Sequence, residues 1–224
     1  MGEVNVIKTD MNTASLKRYH SPLRRAQAEE TRQRLLRAAA ELLERHPDRP
    51  LAFAELAAVA GVQERTVYRH FPSREALLDT FWDWINERAG FTTFPASEHD
   101  LVEQPKTVFA GFDRVEGIVR ASLSSAAGRE MRMRRLAERR AAFTRSLADA
   151  MDGLPQARAR HVAAVIQLLY SAPAWQVMKD FAGLTGAEAG EAAAWAIQTL
   201  LLAARQEAVA AGRSDPDRSD EEQP

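Results

Sequence analysis

The apolar residues of this chain recur at the spacing of an α-helix and nowhere at the spacing of a strand. From Thr31 onward, Leu35, Leu36, Ala39, Leu42 and Leu43 share one face of a 3.6-residue repeat that runs up to His46 and Pro47. A half-buried strand would alternate apolar and polar residues, and no such run occurs. An all-α fold is therefore expected. Ser21 can cap the first helix, with Pro22 at its first position, and Pro47 stops it. A short helix at Ala54–Ala60 precedes Gly61. Ser73 then suits the N-cap of a helix carrying Leu77, Phe81, Trp84 and Ile85 as far as Ala89 and Gly90.

The turn-rich, acidic stretch 91–100 divides the chain. Beyond it, helical periods are expected over 104–127, 129–151 and 155–181, followed by Gly183 as a C-cap. Thr185 and Glu188 have capping-box spacing and open a last helix to about Ala210. The expected organisation is a flexible basic arm over 1–20, a first domain over 21–90, a larger helical domain over 101–211, and a disordered acidic tail over 212–224.

Composition excludes several functions. With no cysteine there is no disulfide, thiol nucleophile or zinc–thiolate site. The five histidines (His20, His46, His70, His99 and His161) are scattered, and no phosphate-binding glycine loop, HExxH or glycine-flanked serine is present, so no enzyme, metal or cofactor is expected. No apolar run approaches the ~20 residues of a membrane span, and a cytoplasmic location is expected. The net charge of −1 is unevenly spread. Residues 1–74 hold 13 Lys and Arg against 9 Asp and Glu, and the remainder holds 17 against 22. A polyanionic partner would meet the front of the chain.

The stretch GVQERTVYRHFPSRE (61–75) suits such a partner. With Val67 toward the core, a helical period points Arg65 and Arg69 outward, sets Thr66 and Tyr68 on the flanks, and returns His70 and Phe71 to the body. Small Ala57, then Gly61 for a tight turn, then Val62 at the corner is helix-turn-helix spacing. Such a unit lays its second helix in the DNA major groove, where arginine reads guanine and hydroxyls meet phosphates. The helix opened by Ser73 offers an N-terminal anion site beside Arg74. An exposed connecting helix with solvated arginines would fit the same spacing.

Residues 31–77 closely resemble the N-terminal DNA-binding domain of the TetR family of bacterial transcriptional regulators. The resemblance rests on TRQRLLRAAAELL, ELAAVAGV and, most specifically, TVYRHFPSREALL. The C-terminal half is similar only in kind, being helical and acidic with two long closing helices. The resemblance implies a homodimer that binds a palindromic double-stranded DNA operator, usually as a ligand-responsive repressor. It implies phosphate contacts by Thr66, Tyr68, His70 and Arg74, where Arg74 replaces a usual lysine, and base contacts by Arg65 and Tyr68. With Gln63, Glu64, Arg69 and Ser73 these make up the expected DNA-binding set. Gln63 stands where a capping serine is common, Ala54 where an arginine often supplements base reading, and Glu64 puts an acid at the groove-facing end. Basic residues near the N-terminus (Lys17, Arg18, Arg24, Arg25) could follow a minor groove or simply be solvated. The alternative function is an all-helical adaptor module whose helix pair no longer reads DNA.

The resemblance also implies an effector pocket and a dimer bundle in the C-terminal half. Phe109, Phe112, Met131, Phe143, Tyr170, Trp175 and Met178 are candidates to line an apolar cavity for an unknown small-molecule effector, or simply form the core. Val162, Ile166, Leu169, Trp195, Leu200 and Leu201 are candidates for the interface. Pro173 should kink or interrupt the penultimate helix. Arg132, Arg135 and Arg139 align on one helical face, either for an anionic effector or as a solvated face partly paired with Glu130 and Glu138.

Overall fold

The computed structural model describes residues 22–213; the arm over 1–20, the Ser21 cap and residues 214–224 of the tail lie outside them. These residues form twelve helices and no strand: α1 (Pro22–Arg45), α2 (Phe53–Ala60), α3 (Glu64–His70), α4 (Arg74–Ala89), α5 (Glu98–Arg114), α6 (Glu116–Ser124), α7 (Ala126–Arg134), α8 (Leu136–Ser146), α9 (Ala148–Met151), α10 (Gln156–Leu169), α11 (Ala172–Ala182) and α12 (Gly186–Arg213).

The apolar face of α1 buries Leu35, Leu36, Ala39 and Leu43. It packs against α2, α4 and α6. Helix α4 buries Leu77, Leu78, Phe81 and Ile85, and it ends at Gly90 in the left-handed conformation. Trp84 Nε1 donates to Gln33 Oε1 at 2.9 Å, tying α4 to α1. One apolar cluster runs from Leu35 through Phe81 to Phe109, Val119 and Trp175. The boundary expected at 91–100 is thus a connection in the chain and not a gap in the packing. A second cluster joins Phe143, Ile166, Tyr170, Ile197 and Leu201.

Three of the expected helices are jointed. The first starts earlier, at Glu98, because Ser97 and Asp100 form a reciprocal capping box; it then breaks at Val115 between α5 and α6. The arginine-rich stretch bends at Arg135 and Leu147. The expected helix over 155–181 is interrupted at Tyr170 and Ser171, so Pro173 falls in the first turn of α11. There its missing N–H would have had no intrahelical partner anyway.

Helix α12 lies unusually close to α5. A Cβ on Gly186 would stand 2.2 Å from the Phe109 carbonyl oxygen, and one on Gly190 2.7 Å from that of Pro105. The two glycines, four residues apart, are one surface of contact. The expected capping box at the start of α12 is formed, with Thr185 N donating to Glu188 Oε2 at 2.8 Å and Glu188 N to Thr185 Oγ1 at 3.3 Å. Asp113 fastens three helices: its carboxylate accepts from Trp175 Nε1 (2.9 Å), Lys179 Nζ (3.1 Å) and Gly186 N (2.7 Å). Among the described residues, no helix is long and apolar enough to cross a membrane.

Candidate nucleic-acid interface

The turn between α2 and α3 is built as the spacing required. Gly61 has φ 64° and ψ 40°, a left-handed conformation that a residue with a Cβ resists. Its N–H donates to the Ala58 carbonyl (3.2 Å), and the Val62 N–H donates to that of Ala57 (3.0 Å). This double closure is a Schellman turn, and it redirects the chain within two residues. A Cβ at Gly61 would meet nothing within 4 Å, so backbone conformation alone demands glycine here.

Helix α3 is held by two side chains. Val67 and Phe71 are buried, at 0% and 1% exposure. Arg65 and Arg69 are exposed, Thr66 is half-buried, and Tyr68 is 53% exposed. The Tyr68 ring meets the edge of Phe53 with centroids 4.8 Å apart, which fixes its direction. Phe53 is a positioning residue that sequence periodicity did not reveal, because it is the first residue of α2. Neither Arg65 nor Arg69 has a carboxylate partner within ion-pair distance among the described residues.

Gln63 occupies the N-cap of α3 without a side-chain cap bond, so the missing serine is not replaced in kind. Glu64 is exposed in the first turn, where its charge meets the positive end of the helix. Ser73 caps α4, its Oγ accepting from Ala76 N at 3.2 Å. His70 turns inward: its Nε2 is buried without a hydrogen-bond partner among the described residues. Burial lowers its pKa, with Arg69 and Arg32 adding to the effect, so the imidazole favours its neutral form. Arg74 stands beside the Ser73 cap, but its guanidinium pairs with Glu130 of α7. Its expected role at a phosphate therefore competes with an ion pair to the second half of the chain. Arg24 and Arg25 lie in the first turn of α1, and Lys17 and Arg18 fall outside the described residues.

The expected pocket residues separate. A cavity of about 280 Å³ is lined by Phe112 and Tyr170, together with Trp82, Phe91, Phe94 and Leu123. Phe109, Met131, Phe143 and Trp175 do not line it; each is at most 1% exposed and serves the core. Met178 packs against the first cluster instead. Much of the lining outside the expected set comes from α4, α6 and the turn-rich stretch at 91–94, where the sequence suggests a domain boundary.

The interface candidates separate as well. Val162, Ile166 and Leu201 are buried within the chain, and Leu169 and Leu200 pack against the same cluster. Trp195 is 71% exposed. The large apolar residues that α10 and α12 leave outward are Val165, Leu168, Trp195, Leu202 and Val209. Both helices carry apolar residues on two faces, and sequence spacing alone does not say which of them meets the body.

Comparison with known proteins agrees with this geometry at the front of the chain. Residues 35–80 match the family model described as bacterial regulatory proteins, tetR family. Over 56 residues the chain is 39% identical to nucleoid occlusion factor SlmA of Shewanella sediminis, and equally to that of Shewanella woodyi. These matches cover 25% of this chain and only 28% of the relatives' length. The crystal structure of a tetR-family transcriptional regulator from Streptomyces coelicolor aligns over 85% of this chain and 93% of its own, with a TM-score of 0.52 at 21% identity. That likeness shows a shared fold through the helical C-terminal half.

Proposed function

We propose, from the premise that its N-terminal domain belongs to the TetR family of bacterial regulatory proteins, that this chain is a homodimeric, operator-binding repressor released by a small molecule. One observation carries the reading. Helix α3 is pinned by Val67 and Phe71, and its outward side presents Arg65, Arg69 and Tyr68, with no carboxylate among the described residues neutralising the two arginines. Cations left unpaired on a short helix after a tight turn suit a groove lined with phosphates. Dimerisation would set two such helices in successive major grooves, ~34–36 Å apart. The outward residues Val165, Leu168, Trp195 and Leu202 supply an apolar face for it. The cavity beside α4 is the proposed effector site.

The test is a titration of the protein against the DNA upstream of its own gene at several salt concentrations. Specific binding whose logarithm falls with the logarithm of salt supports the reading. Absence of sequence preference at every salt concentration would point to the adaptor module instead.

A further inference from the structure

The cavity beside α4 has an apolar body and a cationic wall. Phe91, Phe94, Phe112 and Leu123 belong to the apolar lining, and Arg132 of α7, Arg135 at the joint and Arg139 of α8 line it as well. No aspartate or glutamate lines it. Arg139 Nη2 donates to the Gln167 carbonyl at 2.9 Å, and its guanidinium lies over the Phe143 ring at 5.0 Å. Arg132 Nη1 donates to the Ser122 carbonyl at 2.6 Å, with a longer bond from Nη2 to Leu123. Both therefore rest on last-turn carbonyls of helices that end at the cavity, α10 and α6. Helix-end dipoles compensate a full charge only in part. Neither arginine has a carboxylate partner among the described residues, and burial lowers the pKa of both. Arg135 is paired with Asp83 and Glu138, yet its Nε is buried without a partner.

We propose that this cavity binds an amphipathic organic anion, its apolar part among Phe91, Phe94 and Phe112 and its acidic group held by Arg139 and Arg132. This names the class of effector and rests on the reading of the cavity as the effector site. A guanidinium carries five donors, and each of these arginines spends one or two on carbonyls, which leaves a fork for a carboxylate, sulfonate or phosphate. A cationic effector would be repelled by the same wall. Arg135 gives the site a link to α4: an anion that draws it away from Asp83 loosens one of the ties holding that helix.

The test uses the purified full-length chain and two fluorescent probes of matched shape. One is 1-anilinonaphthalene-8-sulfonate; the other, N-phenyl-1-naphthylamine, has the same aromatic body without the sulfonate. The sulfonate should bind about tenfold or more tightly than the neutral probe, the worth of one charge-assisted contact. Decanoate should displace it and decylamine should not. Arg139→Gln should weaken the sulfonate by a similar factor and leave the neutral probe unchanged. Arg139→Lys should lose less, and Arg140→Gln, on an exposed position of the same helix, nothing. Equal binding of the two probes, displacement by decylamine, or an Arg139→Gln variant that binds as the parent does would overturn the proposal. If Arg139→Gln does not fold, Arg132→Gln replaces it, and the ratio of probe affinities in the parent protein still decides. No DNA is present in these titrations, so their failure is distinct from failure to bind an operator.

Discussion

Single residues set the recognition unit. Gly61 has open space around it and a left-handed backbone, so Gly61→Ala should cost stability through conformation alone, about 1–2 kcal/mol, and Gly61→Asn less. Thermal denaturation of the two variants checks the order. Arg65→Ala should relax sequence preference as well as affinity, since Ala54 supplies no second arginine; competition between operator and unrelated DNA measures it, and uniform weakening would refute it. His70 gives a pH dependence of definite sign. Its native pKa lies below the ordinary 6.5, so the unfolded chain takes up the proton first. Stability should therefore fall as pH drops through about 6.5, and His70→Gln should flatten that part of the melting curve's pH dependence. The outward set of α3 was legible in the sequence because one buried valine fixes the phase of a short helix. Phe53 and the Arg74–Glu130 pair were not, because both depend on residues that only the fold brings near. Glu64 makes no ion pair among the described residues and is exposed at the positive end of α3.

Between helices, polar contacts organise what apolar packing leaves undirected. Asp113 joins α5, α11 and α12 through three donors. Burial raises its pKa, but the bonds from Gly186, Trp175 and Lys179 outweigh it and hold the carboxyl below its ordinary value. Its contribution is present above pH 3.8 and lost as pH falls through the lower native value. Asp113→Ala should cost about 2–3 kcal/mol in a denaturant titration at neutral pH. A further row of contacts fastens α4 to the arginine-rich stretch: Arg134 to Asp79 at 2.6 Å, Arg135 to Asp83 at 2.8 Å, and Arg74 to Glu130. These pairs are partly exposed, so each is worth at most about 1 kcal/mol. The double variant Asp79→Asn, Asp83→Asn should melt almost as the parent does while binding the operator differently, which a parallel melt and DNA titration would register. Periodicity located these helices well but not their joints. Val115, Arg135 and Ser171 carry no glycine to announce a break, and Pro173 marks one two residues late.

At the scale of the whole molecule, the outward apolar residues of α10 and α12 bear on assembly. Trp195→Asp should give a monomer by analytical ultracentrifugation and reduce the salt dependence of DNA binding, as half the phosphate contacts are lost. Its monomer should remain folded, because Trp195 contributes nothing to either apolar cluster. The fold class and the division into a recognition end and a larger helical body were legible from helical spacing. The pocket's lining was not, since Trp82, Phe91 and Phe94 belong to segments assigned to other purposes. Beneath this lies the single cluster that runs from α1 through α4 into α5, α6 and α11. Chimeras made by grafting a relative's N-terminal domain onto this body would have to rebuild this cluster, in which Phe81 and Ile85 share an interior with Phe109 and Val119, a fit that no alignment of the recognition helix guarantees. New operators are better sought by exchanging Arg65 and Arg69, exposed side chains of α3 that belong to neither apolar cluster.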